Sequence, residues 1–184
     1  MERDQAISLL HSYIKNERML NHCYASEAVL RAMAVHLGQD VEKWGLAGLL
    51  HDLDVELVQA DPKIHGLETA RILESYNLDP EIIDAIRMHN EEATGQERTT
   101  RFQHALAAGE TVTGLIVATT LVYPDRKLSG VKPQSVIKRM KEKAFAASVR
   151  RENILECEKA GIPLDEFVAV AIGAMTGISA QLGL

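Results

Sequence analysis

Apolar residues recur every three or four positions along most of the chain, which is the spacing of an amphipathic helix. The final segment shows this spacing most clearly, in the apolar residues Leu164, Val168, Ala171, Met175, Ile178 and Leu182. Alternating runs of β-branched residues, which are typical of strands, are almost absent. The pattern therefore predicts an all-α protein.

The same periodicity, together with capping residues, gives approximate helix boundaries. Helices are predicted near residues 3–16, 21–37, 41–52, 65–77, 79–91, 102–122, 133–147, 150–160 and 163–182. Asn21 and Asp40 are predicted N-caps, and Asp79-Pro80 is typical of a cap followed by proline in the first turn. Residues 92–100 and 123–133 are predicted loops. No linker or repeat divides the chain, so we expect one domain over 1–184, a compact orthogonal helical bundle.

Composition narrows the class of protein. Hydrophobic residues make up 46% of the chain and charged residues 25%, a balance that excludes intrinsic disorder. Cys23 and Cys157 are too few for a disulfide framework and favour a reducing compartment. The charged N-terminus and the lack of any apolar run of about 20 residues argue against a signal peptide or a membrane span. We therefore expect a cytoplasmic protein with no membrane partner.

Candidate metal ligands lie on three predicted helices. His51 and Asp52 end the apolar segment 44–50, where a charged pair is expensive to bury without a partner. His22 lies on an earlier helix, and Glu110 lies on a mostly apolar face of a later one. Such nitrogen and oxygen donors can bind a divalent transition metal with positions left open for water or substrate. The alternative for His51 and Asp52 is a histidine at a helix end next to a solvated aspartate. The alternative for Glu110 is a position on the helix surface.

The ordered set of His22, His51-Asp52 and a later acidic residue resembles the metal motif of the HD-domain superfamily. Further segments resemble a subgroup of small bacterial HD hydrolases of the HDIG type, namely 51–56, 65–66, 85–90, 113–116, 121–124 and 135–152. The resemblance covers about residues 18–184. It implies a metal-site core at about 18–123, C-terminal helices at about 133–184 packed on that core, and metal-dependent phosphohydrolase activity.

Three positions depart from the family pattern. Glu110 stands where aspartate is usual, and Val55 stands where a lysine often follows the His-Asp pair. Relatives with two metals often have a His-His pair, but here the pair is His89-Asn90. An amide is a weak ligand for a transition metal, so we expect one divalent ion per chain, either Mn, Fe, Co, Ni, Zn or Mg.

The chemistry of phosphoester cleavage with one divalent metal suggests roles for individual residues. His22, His51, Asp52 and Glu110 are the expected metal ligands. Asp52, or the nearby Asp54, is expected to orient or deprotonate the attacking water. Arg18 lies one helical turn before His22 and is expected to clamp a phosphate oxygen; the alternative is a solvated helix charge.

The remaining histidines divide into two groups. His65 and His89, with Asn90, are candidates for supporting the ligands, for binding substrate or for holding a second metal. His11, His36 and His104 are expected to be ordinary surface or core residues.

A basic stretch lies in the C-terminal part of the chain, although the net charge is −6. Its residues are Lys132, Lys138, Arg139, Lys141, Lys143, Arg150 and Arg151. It is either a solvated helix face or a positive lip over an anionic substrate. The acidic balance makes nucleic acid an unexpected partner.

These observations favour a metal-dependent phosphohydrolase that acts on a small anionic phosphorylated metabolite or nucleotide. A di-iron oxygenase of the HD type is one alternative, although it needs the second-metal ligands that Asn90 weakens. A catalytically inactive domain that binds a metal or a nucleotide for regulation is the other.

Overall fold

The computed structural model describes residues 1–184, which form eleven α-helices and no strand. One short 3-10 turn at Leu128–Gly130 lies between the seventh and eighth helices. The helices are α1 (Arg3–Tyr13), α2 (Glu17–Leu37), α3 (Val41–Leu50), α4 (Leu67–Glu74), α5 (Pro80–Met88), α6 (Glu91–Thr94), α7 (Arg101–Leu121), α8 (Pro133–Met140), α9 (Arg151–Ala160), α10 (Leu164–Gly177) and α11 (Ser179–Leu182). The prediction of an all-α fold is confirmed.

Capping side chains explain where the first helices begin. Asp40 accepts a hydrogen bond from the Lys43 amide at 3.0 Å, as predicted for the start of α3. The prediction of Asn21 as the cap of α2 is wrong, because the Asn16 side chain accepts from the Arg18 amide at 2.9 Å. The helix therefore starts four residues earlier than predicted, and it already includes Arg18 in its first turn.

Several predicted helices end two or three residues too late, and three further predicted segments differ more clearly from the structure. The helix predicted at 133–147 ends at Met140, and the segment predicted at 163–182 is interrupted at Ile178. The segment predicted as a loop at 92–100 overlaps the single helical turn of α6. After Met140, the Arg151 guanidinium donates hydrogen bonds to turn carbonyls, among them that of Val149 at 2.6 Å. These bonds stabilise turns where the sequence alone favours a helix.

Helix α2 lies at the centre of the fold and packs against α3, α7 and α10. Helices α2 and α3 approach closely at Gly48, where a Cβ atom would lie only 2.7 Å from the Ser26 carbonyl oxygen. Trp44 of α3 stacks on Phe102 of α7, with 5.2 Å between the ring centroids. This packing brings the C-terminal end of α3 next to the middle of α7 and the first half of α2.

The C-terminal helices share the same core as the rest of the chain. A single cluster of buried apolar side chains extends from Ala6 in α1 to Leu182 in α11. Helix α9 packs on α7, and α10 packs on both α2 and α8. No single helix has the length and apolar character to cross a membrane; α9 and α10 meet that standard only when joined, across a bend of 102°.

Candidate metal centre

The buried carboxylate of Asp52 is surrounded by histidine nitrogens from four parts of the fold. Its Oδ1 lies 3.2 Å from Nε2 of His51, 3.1 Å from Nε2 of His65 and 3.7 Å from Nε2 of His89. Its Oδ2 lies 3.5 Å from Nε2 of His22. The structure thus brings together residues that are up to 67 positions apart in the chain.

Two of these histidines are oriented by the last turn of the helix that carries them. Nδ1 of His51, at the end of α3, donates to the Gly48 carbonyl at 2.9 Å. Nδ1 of His89, at the end of α5, donates to the Ile86 carbonyl at 2.5 Å. A carbonyl only accepts hydrogen bonds, so Nδ1 carries the proton and Nε2 presents a lone pair to Asp52.

The other two histidines are oriented by side chains. Nδ1 of His65 lies 2.7 Å from a carboxylate oxygen of Asp54. Nδ1 of His22 lies 3.0 Å from the Thr113 hydroxyl, which itself donates to the Glu110 carbonyl at 2.7 Å. The Thr113 hydroxyl must therefore accept from His22, which leaves the Nε2 lone pair of His22 facing the site. Such partners on Nδ1 are typical of histidines that bind metals.

The donor atoms form two groups that share Asp52, one with His22 and His51 and one with His65 and His89. Within each group the two histidine Nε2 atoms lie 3.1 Å apart. Ligands about 2.1 Å from one ion are separated by about 3.0–3.4 Å at tetrahedral or octahedral angles. In the first group both of these atoms carry lone pairs, which repel each other at this distance unless a cation lies between them, so that group fits a divalent metal ion.

The protonation of these groups follows their burial and their neighbours. Burial lowers the pKa of His22 to about 4 and that of His89 to about 3. Burial alone would raise the pKa of Asp52, but His51 and the hydrogen bond from His65 hold it well below its ordinary value. Burial also opposes charge on His65, yet its two carboxylate partners raise its pKa to about 10. His22, His89 and Asp52 are therefore deprotonated at neutral pH, as metal binding requires, whereas His65 has to release a proton when it binds a metal.

Glu110 lies beside the first group. Its Oε2 is 3.9 Å from Nε2 of His22, a longer separation than those within the group. Burial raises its pKa to about 8, with a further contribution from the nearby charge of Asp52. The Thr111 hydroxyl donates to its other oxygen. The role of Glu110 as a further ligand stays a prediction.

Asp54 is fully buried and its carboxylate is saturated with hydrogen bonds. One oxygen binds His65, and the other accepts from the amides of Gly66 at 2.7 Å and Thr69 at 3.0 Å. Gly66 has a φ of +88°, and a Cβ there would lie 2.9 Å from the His89 ring. Asp54 therefore positions His65 and the start of α4, and its expected part in orienting the attacking water stays a prediction.

Asn90 does not face the donor atoms. Its side-chain amide donates to the carbonyl oxygens of Pro62 at 2.8 Å and His65 at 3.0 Å. It therefore ties the turn before α4 to the end of α5, and the second group is completed by His89 without it.

Arg98 is a supporting residue that sequence reasoning missed. Its buried guanidinium donates to the carbonyl oxygens of Met88 at 3.0 Å and His89 at 2.5 Å, and it pairs with Glu91 at 3.4 Å. These bonds satisfy carbonyls at the end of α5 and hold the backbone that carries His89. Its segment was predicted only as a polar loop, and nothing local in the sequence marks it as buried.

The remaining histidines lie outside the donor set. His11 is exposed and bonds to the Tyr24 hydroxyl at 2.6 Å, and His36 is exposed. His104 is buried and pairs with Glu156, which joins α7 to α9.

Two cavities open beside the first group. A polar cavity of about 230 Å³ is lined by His22, Glu110, Thr111, Gly114, Ser148, Val149, Arg150 and Asn153. A larger cavity of about 690 Å³ includes Arg18 and His22 in its lining. Of the basic stretch, Arg150 lines the polar cavity and lies 3.5 Å from Glu152 and 4.0 Å from Glu92. Arg139 pairs with Glu142, and Arg151 bonds to carbonyls.

Comparison with known families identifies the superfamily. The family model of the HD domain matches residues 19–122, more than half of the chain. The chain belongs to the HD domain family. The matched part of this HD domain includes His22, His51, Asp52 and Glu110. The family is generally one of metal-dependent hydrolases, in agreement with histidine and aspartate groups that are able to hold a metal ion.

Curated relatives of the HD domain share part of its sequence. Ribonuclease Y of Mycoplasma mycoides is 37% identical over 76 residues, which is 41% of this chain and 18% of that protein. Ribonuclease Y of Lawsonia intracellularis is 33% identical over 81 residues, 44% of this chain and 15% of that protein. The matched part of this chain thus covers less than a fifth of the length of these relatives. No solved structure matches the chain.

Proposed function

We propose that this HD domain is a metal-dependent phosphohydrolase that cleaves a phosphoester of a small phosphorylated metabolite or nucleotide. The observation that carries the proposal is the convergence of four histidine Nε2 atoms on Asp52, each ring having its Nδ1 bonded to an oxygen elsewhere. The polar cavity beside His22, which also contains Arg150, supports a phosphorylated substrate.

The first group, His22, His51 and Asp52, would hold one ion, with Glu110 as a further ligand. A divalent ion in such a site supplies a Lewis acid that activates water and stabilises the charge on phosphoryl oxygens. The sequence favoured a single ion because Asn90 replaces a histidine. The structure supports a second position as well, because Asp52, His65 and His89 form a group that does not need Asn90.

The other residues of the site bind and orient the substrate. Arg150 and Asn153 line the polar cavity and present N–H donors to phosphoryl oxygens, and Arg18 approaches from the adjoining cavity. Paired guanidinium donors suit a phosphate because their charge-assisted hydrogen bonds are strong. In the reaction, the oxygen of water bonds to phosphorus while the ester P–O bond breaks, and the alcohol leaves with a proton from water.

A metal and substrate screen tests this proposal. The purified protein is assayed with Mn, Fe, Co, Ni, Zn and Mg against a panel of phosphorylated metabolites and nucleotides, and its metal content is measured. We expect hydrolysis by the wild type and by the control His36→Ala, and a loss of at least about 100-fold in His51→Ala. Failure to hydrolyse any compound with any metal, or full activity in His51→Ala, would contradict the proposal.

The same measurements separate the alternatives. Two irons per chain with consumption of oxygen would indicate a di-iron oxygenase. Binding of a nucleotide or metal without turnover would indicate a regulatory domain. In both cases the phosphohydrolase proposal is wrong.

An RNA phosphodiester is a second candidate substrate, favoured by the similarity to proteins named Ribonuclease Y over 76–81 residues. The net charge of −6 disfavours non-specific RNA binding, which depends on positive charge. A short oligoribonucleotide in the panel decides between RNA and a small phosphorylated molecule as the substrate.

We place the reaction in the cytoplasm, because Cys23 and Cys157 are both free and buried.

A further inference from the structure

The polar cavity and the larger cavity are neighbouring chambers of one site. His22, Gly114, Ser148 and Val149 line both of them. A molecule bound at His22 therefore extends into either chamber without leaving the protein surface. At Gly114, a Cβ would lie 3.2 Å from a methyl group of Val149, so a larger residue would narrow the passage between the chambers.

The two chambers differ in chemistry. The smaller one has a single hydrophobic lining residue, Val149, among polar and charged neighbours that include Arg150 and Glu110. Eight of the fifteen residues that line the larger one are hydrophobic, and Arg18 is the only Lys, Arg, Asp or Glu side chain among them. Its volume of about 690 Å³ is in the range of sites that enclose a small organic molecule.

Apolar side chains from several elements form the larger chamber. Helix α7 supplies Val117, Ala118 and Leu121, while Ala25 comes from α2 and Ala146 from the turn after α8. These side chains offer no hydrogen-bond partners to the hydroxyl groups of a sugar placed against them, and leaving those groups unpaired on burial is unfavourable. Burial of an apolar group against the same side chains, in contrast, lowers the free energy of the complex.

Arg151 holds in place the segment that contains Ser148 and Val149, which line both chambers. Its guanidinium donates to the carbonyl oxygens of Ala146 at 2.7 Å and Val149 at 2.6 Å, and also to that of Phe145. The segment that contains Ser148 and Val149 is therefore fixed by hydrogen bonds as well as by its packing. Arg151 thereby fixes the part of the larger chamber that Ala146, Ser148 and Val149 line.

We propose that the substrate is a phosphate ester of a bulky apolar alcohol, with its phosphoryl group in the polar chamber and its aromatic or aliphatic part in the larger chamber. This inference rests on the proposed phosphohydrolase function. It assigns selectivity to Val117, Ala118 and Leu121, and the ester bond lies at the passage beside His22.

The experiment measures binding to the metal-free protein, so that it does not depend on turnover. The affinities of 1-naphthyl phosphate and glycerol 2-phosphate are compared by calorimetry in the presence of a chelator. We expect the naphthyl ester to bind at least about 10-fold more tightly to the wild type, a difference of about 1.4 kcal/mol. Equal affinities would overturn the inference.

Variants locate the preference in the larger chamber. Ala118→Phe fills the chamber, and Leu121→Asp places a negative charge on a half-exposed part of its lining where folding is little affected. Both should remove the preference for the naphthyl ester, whereas Ala180→Phe, at an exposed position outside the lining, should keep it. A preference that persists in both chamber variants would show that the ester binds elsewhere.

Turnover by the metal-loaded protein separates the two proposals. A preference in kcat/KM for the naphthyl ester supports both. Hydrolysis with equal kcat/KM for the two esters contradicts the larger chamber as the selectivity element and leaves the phosphohydrolase standing. Selective binding in the larger chamber without hydrolysis of any ester contradicts the phosphohydrolase function and still supports the apolar chamber as a binding site.

Discussion

Nε2 of His22 lies 3.1 Å from Nε2 of His51, and neither atom carries the proton of its ring. The proton of each ring is on Nδ1, which donates to the Thr113 hydroxyl in one case and to the Gly48 carbonyl in the other. Two lone pairs at this separation need a cation between them. The fold therefore holds the two rings in the orientation that metal binding requires.

The Thr113 hydroxyl is predicted to contribute to metal affinity through His22. Thr113→Val keeps the shape of the side chain but removes the acceptor for Nδ1 of His22. We expect metal affinity to fall by about 10–100-fold, the usual effect of losing such a partner, whereas Thr113→Ser should stay close to wild type. Metal titration of both variants checks this, and equal affinities in Thr113→Val and wild type would contradict the assigned tautomer of His22.

Arg98 is predicted to stabilise the end of α5. Arg98→Met leaves the carbonyls of Met88 and His89 without their donors, so the free energy of unfolding should fall by about 2 kcal/mol. Arg101→Met, at an exposed position on α7, should change it by less than about 0.5 kcal/mol. Denaturant unfolding of the two variants measures the difference. Similar stabilities would mean that Arg98 does not cap the helix.

Gly48 is predicted to be required for the approach of α2 and α3. In Gly48→Ala the new methyl group meets the Ser26 carbonyl, so we expect a loss of about 1–3 kcal/mol and weaker metal binding as His51 moves away from His22. The matched control is Gly173→Ala in α10, where no atom lies within 4 Å of the new Cβ. It should gain up to about 1 kcal/mol from helix propensity. A stable Gly48→Ala variant with normal metal affinity would contradict the assigned contact.

Glu110 has a longer side chain than the aspartate that is usual at this position in the family, and the effect of that difference on metal binding and activity can be measured. Glu110→Asp restores the usual residue, and we expect retained or raised phosphohydrolase activity. Glu110→Gln keeps the length but replaces the carboxyl group, which can ionise when it binds a metal, with an amide that cannot, and should bind the metal more weakly. Activity and metal content are measured together. A collapse of metal binding in Glu110→Asp would show instead that the site is built around the longer side chain.

The fold class and the core of the site were predictable because their signals are local or carried by motifs. Asp40 and the Asp79-Pro80 pair lie at the helix starts they predict. His51-Asp52 follows an apolar helix, a pattern visible without tertiary information. His65 and His89 were recognised as candidates only through the resemblance, and the structure brings both to Asp52.

The remaining features depend on contacts between distant segments. Arg98 lies in a polar stretch, and its burial follows from the position of the end of α5. Residues 141–149 contain good helix formers, but the carbonyls of this segment bind Arg151 and Ala146 has a φ of +46°. The roles of Thr113 and Asp54 likewise depend on where His22 and His65 lie in space. Periodicity along the chain contains none of this information.

Metal content and activity of Asp52→Ala test the central claim most directly, because Asp52 is the one residue that both donor groups share. The variant is compared with the wild type and with Asp125→Ala, a control at an exposed aspartate that belongs to neither donor group. Metal per chain is measured by elemental analysis, and hydrolysis is measured with the best substrate of the panel. We expect Asp52→Ala to lose its bound metal and at least about 100-fold in rate, while Asp125→Ala keeps both. Full metal content with full activity in Asp52→Ala would contradict the account.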